Sequence, residues 1–335
     1  GRCRRYNLDL DQFIGSCHLC KVSKEIILRI PEMKQDGSKN ENQKFTRIFK
    51  SGDKTNHQRT SSSLGERLIL YGLIAIFLFI TFSPIVWIFS TSLKQNQEAM
   101  SFPPRLVPED PTLENFIFVL TDPTLVQSLS NSFIVSIGST LLSVTVSALG
   151  GYAFARFEFK GKNMIISIIL GLFMIPVVIN IVPLYIMLAG LGLLNSLFAL
   201  MLTFQILIIP LNILLLKSYF ETIPKDLEES ALLDGCSRLG VLRRITIPLS
   251  MPGFAIAAVL SFRFAWNEFI LAVVLANHPD STVFQVALYQ FISLYRIDWG
   301  YLSAGITIAI IPVLVLMLSF QKNMVRGLTL GAIRG

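Results

Sequence analysis

Six apolar segments, at about 68–92, 132–155, 163–188, 196–216, 252–276 and 301–320, dominate this chain of 335 residues. Each is near the roughly 20 apolar residues that cross a hydrocarbon core as a helix. A helix satisfies its own backbone groups in lipid, so the pattern predicts an all-α membrane protein with six transmembrane helices. Only 15% of the residues are charged, against about 25% in soluble domains, too few for a water-facing surface. Two soluble domains, which the length alone would allow, are excluded on that ground. Pro84, Pro176, Pro183, Pro210 and Pro312 fall inside the segments. Each would cost about 3 kcal/mol within a soluble helix. In a bundle neighbouring helices satisfy the freed carbonyls, so kinked helices around a cavity are expected rather than a simple anchor.

Orientation follows from the basic residues. The connections before the first segment, between the second and third, between the fourth and fifth, and after the sixth carry Arg67, Arg156, Lys160, Lys162, Lys217, Lys225, Arg238, Arg243, Arg244, Lys322, Arg326 and Arg334. The opposite connections carry Lys94, Arg105 and Arg296. By the positive-inside rule both termini are cytoplasmic. Residues 1–64 hold thirteen Lys/Arg against seven Asp/Glu, a balance of +6 within a net charge of +7. They read as a basic, largely disordered cytoplasmic tail beside anionic lipid. The interspersed acids and the tether to a bundle argue against nucleic acid as a partner.

Within that tail, 35–63 is polar and without periodicity, as a disordered linker is. Residues 25–31 are a short apolar run of no assignable role, and 1–15 lack the apolar core of a secretory signal. Cys17 and Cys20 flank His18 in a C-x-x-C, with Cys3 upstream and His57 downstream. That is short of four well-spaced zinc ligands, so free thiols in a reducing cytoplasm and no metal are expected. In the second segment, Ser136, Gly138, Ser139, Ser143, Ser147, Ala148, Gly150 and Gly151 let another helix approach closely. That helix belongs to this chain's own bundle or to a partner.

The connection at 221–248 carries the most information. Thr222 is placed to cap a helix, with Pro224 near its first turn, where a missing N–H costs nothing extra. Asp226, Glu228 and Glu229 follow in the early turns, where carboxylates suit the helix dipole. Ser230 and Ala231 leave a low ridge that another protein can approach. Gly235 permits a left-handed backbone and a sharp exit. A short helix, a tight turn and a second short helix are expected on the cytoplasmic side.

Glu229-Ser230-Ala231, Gly235 six residues after the Glu, and Ile245-Thr246-Ile247-Pro248 resemble the "EAA" loop of bacterial ABC importer permeases. Ser230 stands where that pattern has Ala, and Ile247 where it has Leu. Asn131-Ser132, Gly151-Tyr-Ala-Phe-Ala-Arg156, Val182-Pro-Leu-Tyr185, Ala265-Trp-Asn-Glu-Phe269 and Val325-Arg-Gly-Leu-Thr329 are similar to the carbohydrate subgroup, in particular to its smaller maltose-type permeases. The resemblance covers about 65–335, which it marks as one permease domain of the type I importer fold.

The resemblance implies that the loop docks in a cleft of a separate ATP-binding subunit, with Glu229, Ser230, Ala231, Asp234, Gly235, Ile245 and Pro248 as coupling residues. Two such subunits closing on ATP and Mg would rock the membrane halves between inward- and outward-facing states. A second homologous permease as heterodimer partner, an extracytoplasmic solute-binding protein and a place in the bacterial inner membrane are implied as well. So is a role for Arg326, Gly327 and Thr329 in a tail reaching the ATP-binding subunits. The chain holds no phosphate-binding G-x-x-x-x-G-K-[ST] loop of its own and no convincing catalytic set. The expectation is therefore no cofactor bound by this chain and no enzymatic activity in it.

Segment five places Arg263 and Asn267 four residues apart on one helical face, with Glu268 one step round and Trp266 beside them. Intramembrane charges are costly and face a cavity or one another. These four are candidates for the translocation path, or else a structural polar cluster. The connection 277–300, with Pro279, Asp280, Gln285, Tyr289, Gln290 and Tyr295, is expected to face the solute-binding protein. Two rival readings are an ion-coupled secondary transporter, which commonly shows an internal repeat not found here, and a membrane scaffold that recruits partners through its basic tail. Neither accounts for the loop. An ABC importer permease for another small polar solute is the nearer alternative.

Overall fold

The computed structural model describes residues 64–292 and 297–332, except the side chains of Leu64, Glu66, Arg67 and 322–332. The tail 1–63, with its C-x-x-C, lies outside the described residues, as do Tyr295 and Arg296. The chain falls into two compact units, Gly1–Leu78 and Phe79–Gly335. The described part of the first is the opening of helix α1.

Helices of eight residues or more are numbered α1–α9. They are α1 (Leu64–Ser92), α2 (Glu114–Thr121), α3 (Pro123–Arg156), α4 (Lys162–Phe173), α5 (Ile181–Gly190), α6 (Leu197–Glu221), α7 (Lys225–Leu233), α8 (Met251–Asn267) and α9 (Trp299–Ala332). Among the described residues the only β feature is an isolated bridge between Ile292 and Ile297. Four of these helices are long and apolar enough to cross a membrane, and up to six spans result if each of two bent pairs is one crossing.

The two bent pairs revise the sequence expectation. Segment three is not one helix: α4 ends at Phe173, Pro176 precedes a 3₁₀ turn (Val177–Asn180), and the two parts meet at 91°. Pro176 has no N–H for an α-helical bond, so the chain turns there. Pro84, Pro210 and Pro312 instead sit inside continuous helices. Segment five also breaks. Helix α8 stops at Asn267, a short helix resumes at Ile270–Leu275, and Arg238–Leu249 meets α8 at 83°. Segment two begins at Pro123 rather than 132. Asp122 accepts a hydrogen bond from the Leu125 N–H, and Pro123 fills the first helical position, where it forfeits nothing.

Helices α3 and α6 form the most extensive pair. They run parallel: a Cβ at Gly138 would meet Met201, and one at Gly151 would meet Ile213 O and Lys217 N. The small side chains of segment two thus pack this chain's own bundle. Ser136, Ser139, Ser143 and Ser147 are fully buried. Asn212 on α6 donates to Ser143 on α3 and to Ser261 on α8, both at 2.7 Å, which ties three helices at mid-length. Because α3 and α6 are parallel, the bent α4–α5 pair returns the chain from one end of the bundle to the other. Gly253 packs on Tyr219 and Ser261 on Asn212, so α8 runs antiparallel to α6.

Each end has its own core. At one, Ala148, Tyr152, Leu216, Phe220, Leu242 and Ala257 pack together. At the other, Val119, Leu125, Phe284, Leu288 and Leu302 do so. There Asn131 donates to the carbonyls of Asp280 and Thr282, and Ser132 accepts from the Phe284 N–H, pinning the 277–292 connection onto α3.

Candidate functional site: a docked helical loop and a groove beside α8

The loop after α6 is built as a helix, a turn and a helix. Thr222, expected as an N-cap, is instead the C-cap of α6, which runs on to Glu221; its hydroxyl donates to the Tyr219 carbonyl at 2.7 Å. Pro224, extended at φ −56° and ψ 131°, starts α7 without a capping side chain. The far end of α7 is a Schellman motif. The Cys236 N–H donates to Ala231 O, the Gly235 N–H to Leu232 O, and Gly235 takes φ +84°, a conformation glycine adopts without strain. Ser237 accepts from the Gly240 N–H to start the second helix. That helix widens into a π turn at Leu242–Thr246 and closes at Ile247–Leu249.

Of the predicted coupling residues, Glu229, Ser230, Asp234, Gly235 and Pro248 are exposed, and Ala231 and Ile245 are half-buried. Beside them Leu227, Leu233 and Leu239 expose apolar surface, Leu233 to 89%. The loop therefore offers a mixed acidic and apolar ridge to solvent.

What holds that ridge is a residue that sequence reasoning gave no special role. Glu228, 5% exposed, turns the opposite way from Glu229 and enters the bundle. Its carboxylate accepts from Arg156 Nη2 at 2.8 Å, Thr246 Oγ1 at 2.8 Å and the Tyr152 hydroxyl at 3.0 Å. Arg156 also donates to the Ile223 carbonyl at 3.1 Å. One carboxylate thus joins the end of α3, the first loop helix and the π turn of the second. Burial pushes the Glu228 pKa up, but the hydrogen bonds from Arg156, Thr246 and Tyr152 and the Arg156 charge outweigh it. The carboxyl stays below its ordinary value.

The four predicted path residues separate. Trp266 is buried in the core: it stacks on Phe262 at 5.6 Å and donates from Nε1 to Ala309 O at 3.0 Å. The Glu268 carboxylate accepts from the Leu271 N–H at 3.0 Å and caps the helix that restarts there. Arg263 and Asn267 remain together and line a groove of about 550 Å³ between α8, α9 and the 284–292 segment. Arg326, Gly327 and Thr329 lie on the last turns of α9, with their side chains outside the described residues.

With this geometry in place, comparison with known proteins is informative. Residues 143–330 match the family of binding-protein-dependent transport system inner membrane components. The chain is 38% identical over 252 residues to the sulfoquinovosyl glycerol transport system permease protein SmoH of Agrobacterium fabrum, covering 75% of this chain and 88% of that one. It is 36% identical over 271 residues to the trehalose/maltose transport system permease protein MalG of Thermococcus litoralis, covering 80% and 96%. Among solved structures, a chain of a bacterial ABC transporter that imports the acidic polysaccharide alginate superposes with a TM-score of 0.69 at 25% identity, covering 78% of this chain and 98% of that one.

Proposed function

The chain belongs to the family of binding-protein-dependent transport system inner membrane components, and from that premise we propose that it is the permease of an ATP-driven sugar importer of a bacterial inner membrane. The relatives are named for trehalose/maltose, sulfoquinovosyl glycerol and alginate transport, which supports a saccharide as the cargo. Residues 65–335 act as the permease domain behind the tail 1–64, with the loop 221–248 and both termini in the cytoplasm. A second, homologous permease completes the pathway, two ATP-binding subunits hydrolyse ATP with Mg, and an extracytoplasmic protein delivers the sugar.

The observation that carries this reading is the shape of the loop. The helix-turn-helix presents Glu229, Ser230, Asp234 and Gly235 outward, with Ala231 half-buried beside them, while Glu228 fixes it to α3. Ile245 and Pro248 shape the return into α8. A loop that merely connected α6 to α8 would need neither a Schellman turn nor a buried carboxylate. As a docking element it transmits a push: a displaced α7 moves the end of α3 through Arg156 and Tyr152, and rigid helices pass that motion across the bilayer. Arg326, Gly327 and Thr329 form a second contact with the ATP-binding subunits.

The reading is tested by reconstituting the chain with its partner subunits and measuring sugar-stimulated ATP hydrolysis. Glu229→Lys or Gly235→Asp should abolish the stimulation while both permeases remain assembled. Full stimulation in both variants would remove the docking role.

A further inference from the structure

We propose that the groove beside α8 selects saccharides that carry an anionic group, with Arg263 as its counter-charge. The inference rests on the sugar-permease reading and adds the charge class of the cargo.

Arg263 lies near the middle of segment five, where a cation in hydrocarbon needs a partner. The described residues supply none: Arg263 makes no hydrogen bond or ion pair among them and is exposed toward the groove. No Asp or Glu lines that groove. The nearest carboxylate in sequence, Glu268, is spent on capping the Leu271 N–H. In sequence, residues 293–296 and 322–335 contain no acid. The compensating negative charge therefore comes from outside the described residues of this chain.

The rest of the groove has the chemistry of a sugar site. Asn267, one turn along α8 from Arg263, presents an amide to it. Gln285 lines it too; its Oε1 accepts from Ser132, while its buried Nε2 makes no hydrogen bond among the described residues. Phe269 and Tyr289, with ring centroids 5.5 Å apart, form an aromatic wall on the same groove, and α9 supplies an apolar floor. An amide, one cation and an aromatic wall in an otherwise apolar cleft are how small-ligand sites are commonly built. The cation sets the charge: a guanidinium pairs with a carboxylate or sulfonate by charge-assisted hydrogen bonds.

The test uses the full importer complex in lipid nanodiscs and two probes of similar size, radiolabelled digalacturonate and digalactose. We expect digalacturonate to bind wild type roughly ten- to hundredfold more tightly, the range expected for hydrogen bonds to a charged group, with the preference shrinking as salt is raised. Arg263→Gln should erase the preference, and Arg263→Lys should keep part of it. Equal binding of the two probes, or an unchanged preference in Arg263→Gln, overturns the inference. So does loss of the partner permease from purified Arg263→Gln complex with recovery in Arg263→Lys, because the guanidinium then serves a subunit interface. If digalactose binds and stimulates ATP hydrolysis while digalacturonate does not bind, the sugar reading stands and this inference alone falls. If neither disaccharide binds or stimulates, the sugar reading fails and takes the inference with it.

Discussion

Adjacent carboxylates at 228 and 229 do opposite jobs because a helix separates neighbouring side chains by about 100°. Glu229 faces solvent, and Glu228 is enclosed with Arg156, each of that pair having a side chain only 6% exposed. Removing one member of a buried ion pair leaves the other charge uncompensated, at about 3–5 kcal/mol. Glu228→Gln should therefore destabilise the protein by about that much, whereas Glu229→Gln should leave stability within about 0.5 kcal/mol, as surface changes do. Thermal unfolding in detergent separates the two. The pH dependence has a definite sign. The Glu228 pKa in the folded state lies below its ordinary 4.5, so its stabilisation is complete above that value and fades as pH falls through the depressed one. The unfolding midpoint of wild type should drop below about pH 4.5 more steeply than that of Glu228→Gln. The spacing of the loop motif marked Glu229 and Gly235 directly. It said nothing of Glu228, because which of two neighbouring glutamates turns inward depends on Arg156 and Tyr152, some seventy residues away in sequence.

Helices show the same division between local and distant causes. Hydropathy located the apolar segments, since length and polarity are properties of a window. It missed the break at Pro176, because five prolines look alike in a window while their neighbours decide which one bends the chain, and the break at Glu268, where no proline or glycine marks the helix end. Likewise the small residues of α3 announced a close approach without naming the partner, which proves to be α6. The fit there is tight. A Cβ on Gly151 would lie 3.1 Å from the Lys217 nitrogen and 3.2 Å from the Ile213 carbonyl oxygen, both backbone atoms that cannot swing aside. Gly151→Val should thus force α3 and α6 apart and cost about 1–3 kcal/mol as overpacking. At Gly171 in α4 no neighbouring atom lies within 4 Å. Gly171→Ala should be neutral or stabilising by up to about 1 kcal/mol, the helix propensity gained. Thermal unfolding midpoints of the two variants should move in opposite directions, or only the first should move.

On the scale of the whole molecule, the fold sorts charge by end. Arg156, Lys217, Lys225, Arg238, Arg243 and Arg244 belong to α7, the second loop helix and the adjoining ends of α3 and α6. Lys94 and Arg105 sit together beyond α1, where Lys94 is buried under Trp87 and donates to the Arg105 carbonyl. Positive charge stays on the cytoplasmic side during insertion, so the α7 end should face the cytoplasm. Leu233 at the loop, 89% exposed, and Val107 beyond α1, 73% exposed, give one probe site for each side. In a background with Cys3, Cys17, Cys20 and Cys236 replaced by serine, Leu233→Cys and Val107→Cys are compared by labelling with a membrane-impermeant maleimide. Intact spheroplasts should label at 107 and not at 233, and inverted vesicles should do the reverse. Labelling of both positions from one side would place Leu233 and Val107 on the same face of the membrane, leaving an odd number of crossings between them impossible. Reversal of the pattern would put the α7 ridge outside the cell and overturn its proposed docking to a cytoplasmic ATP-binding subunit.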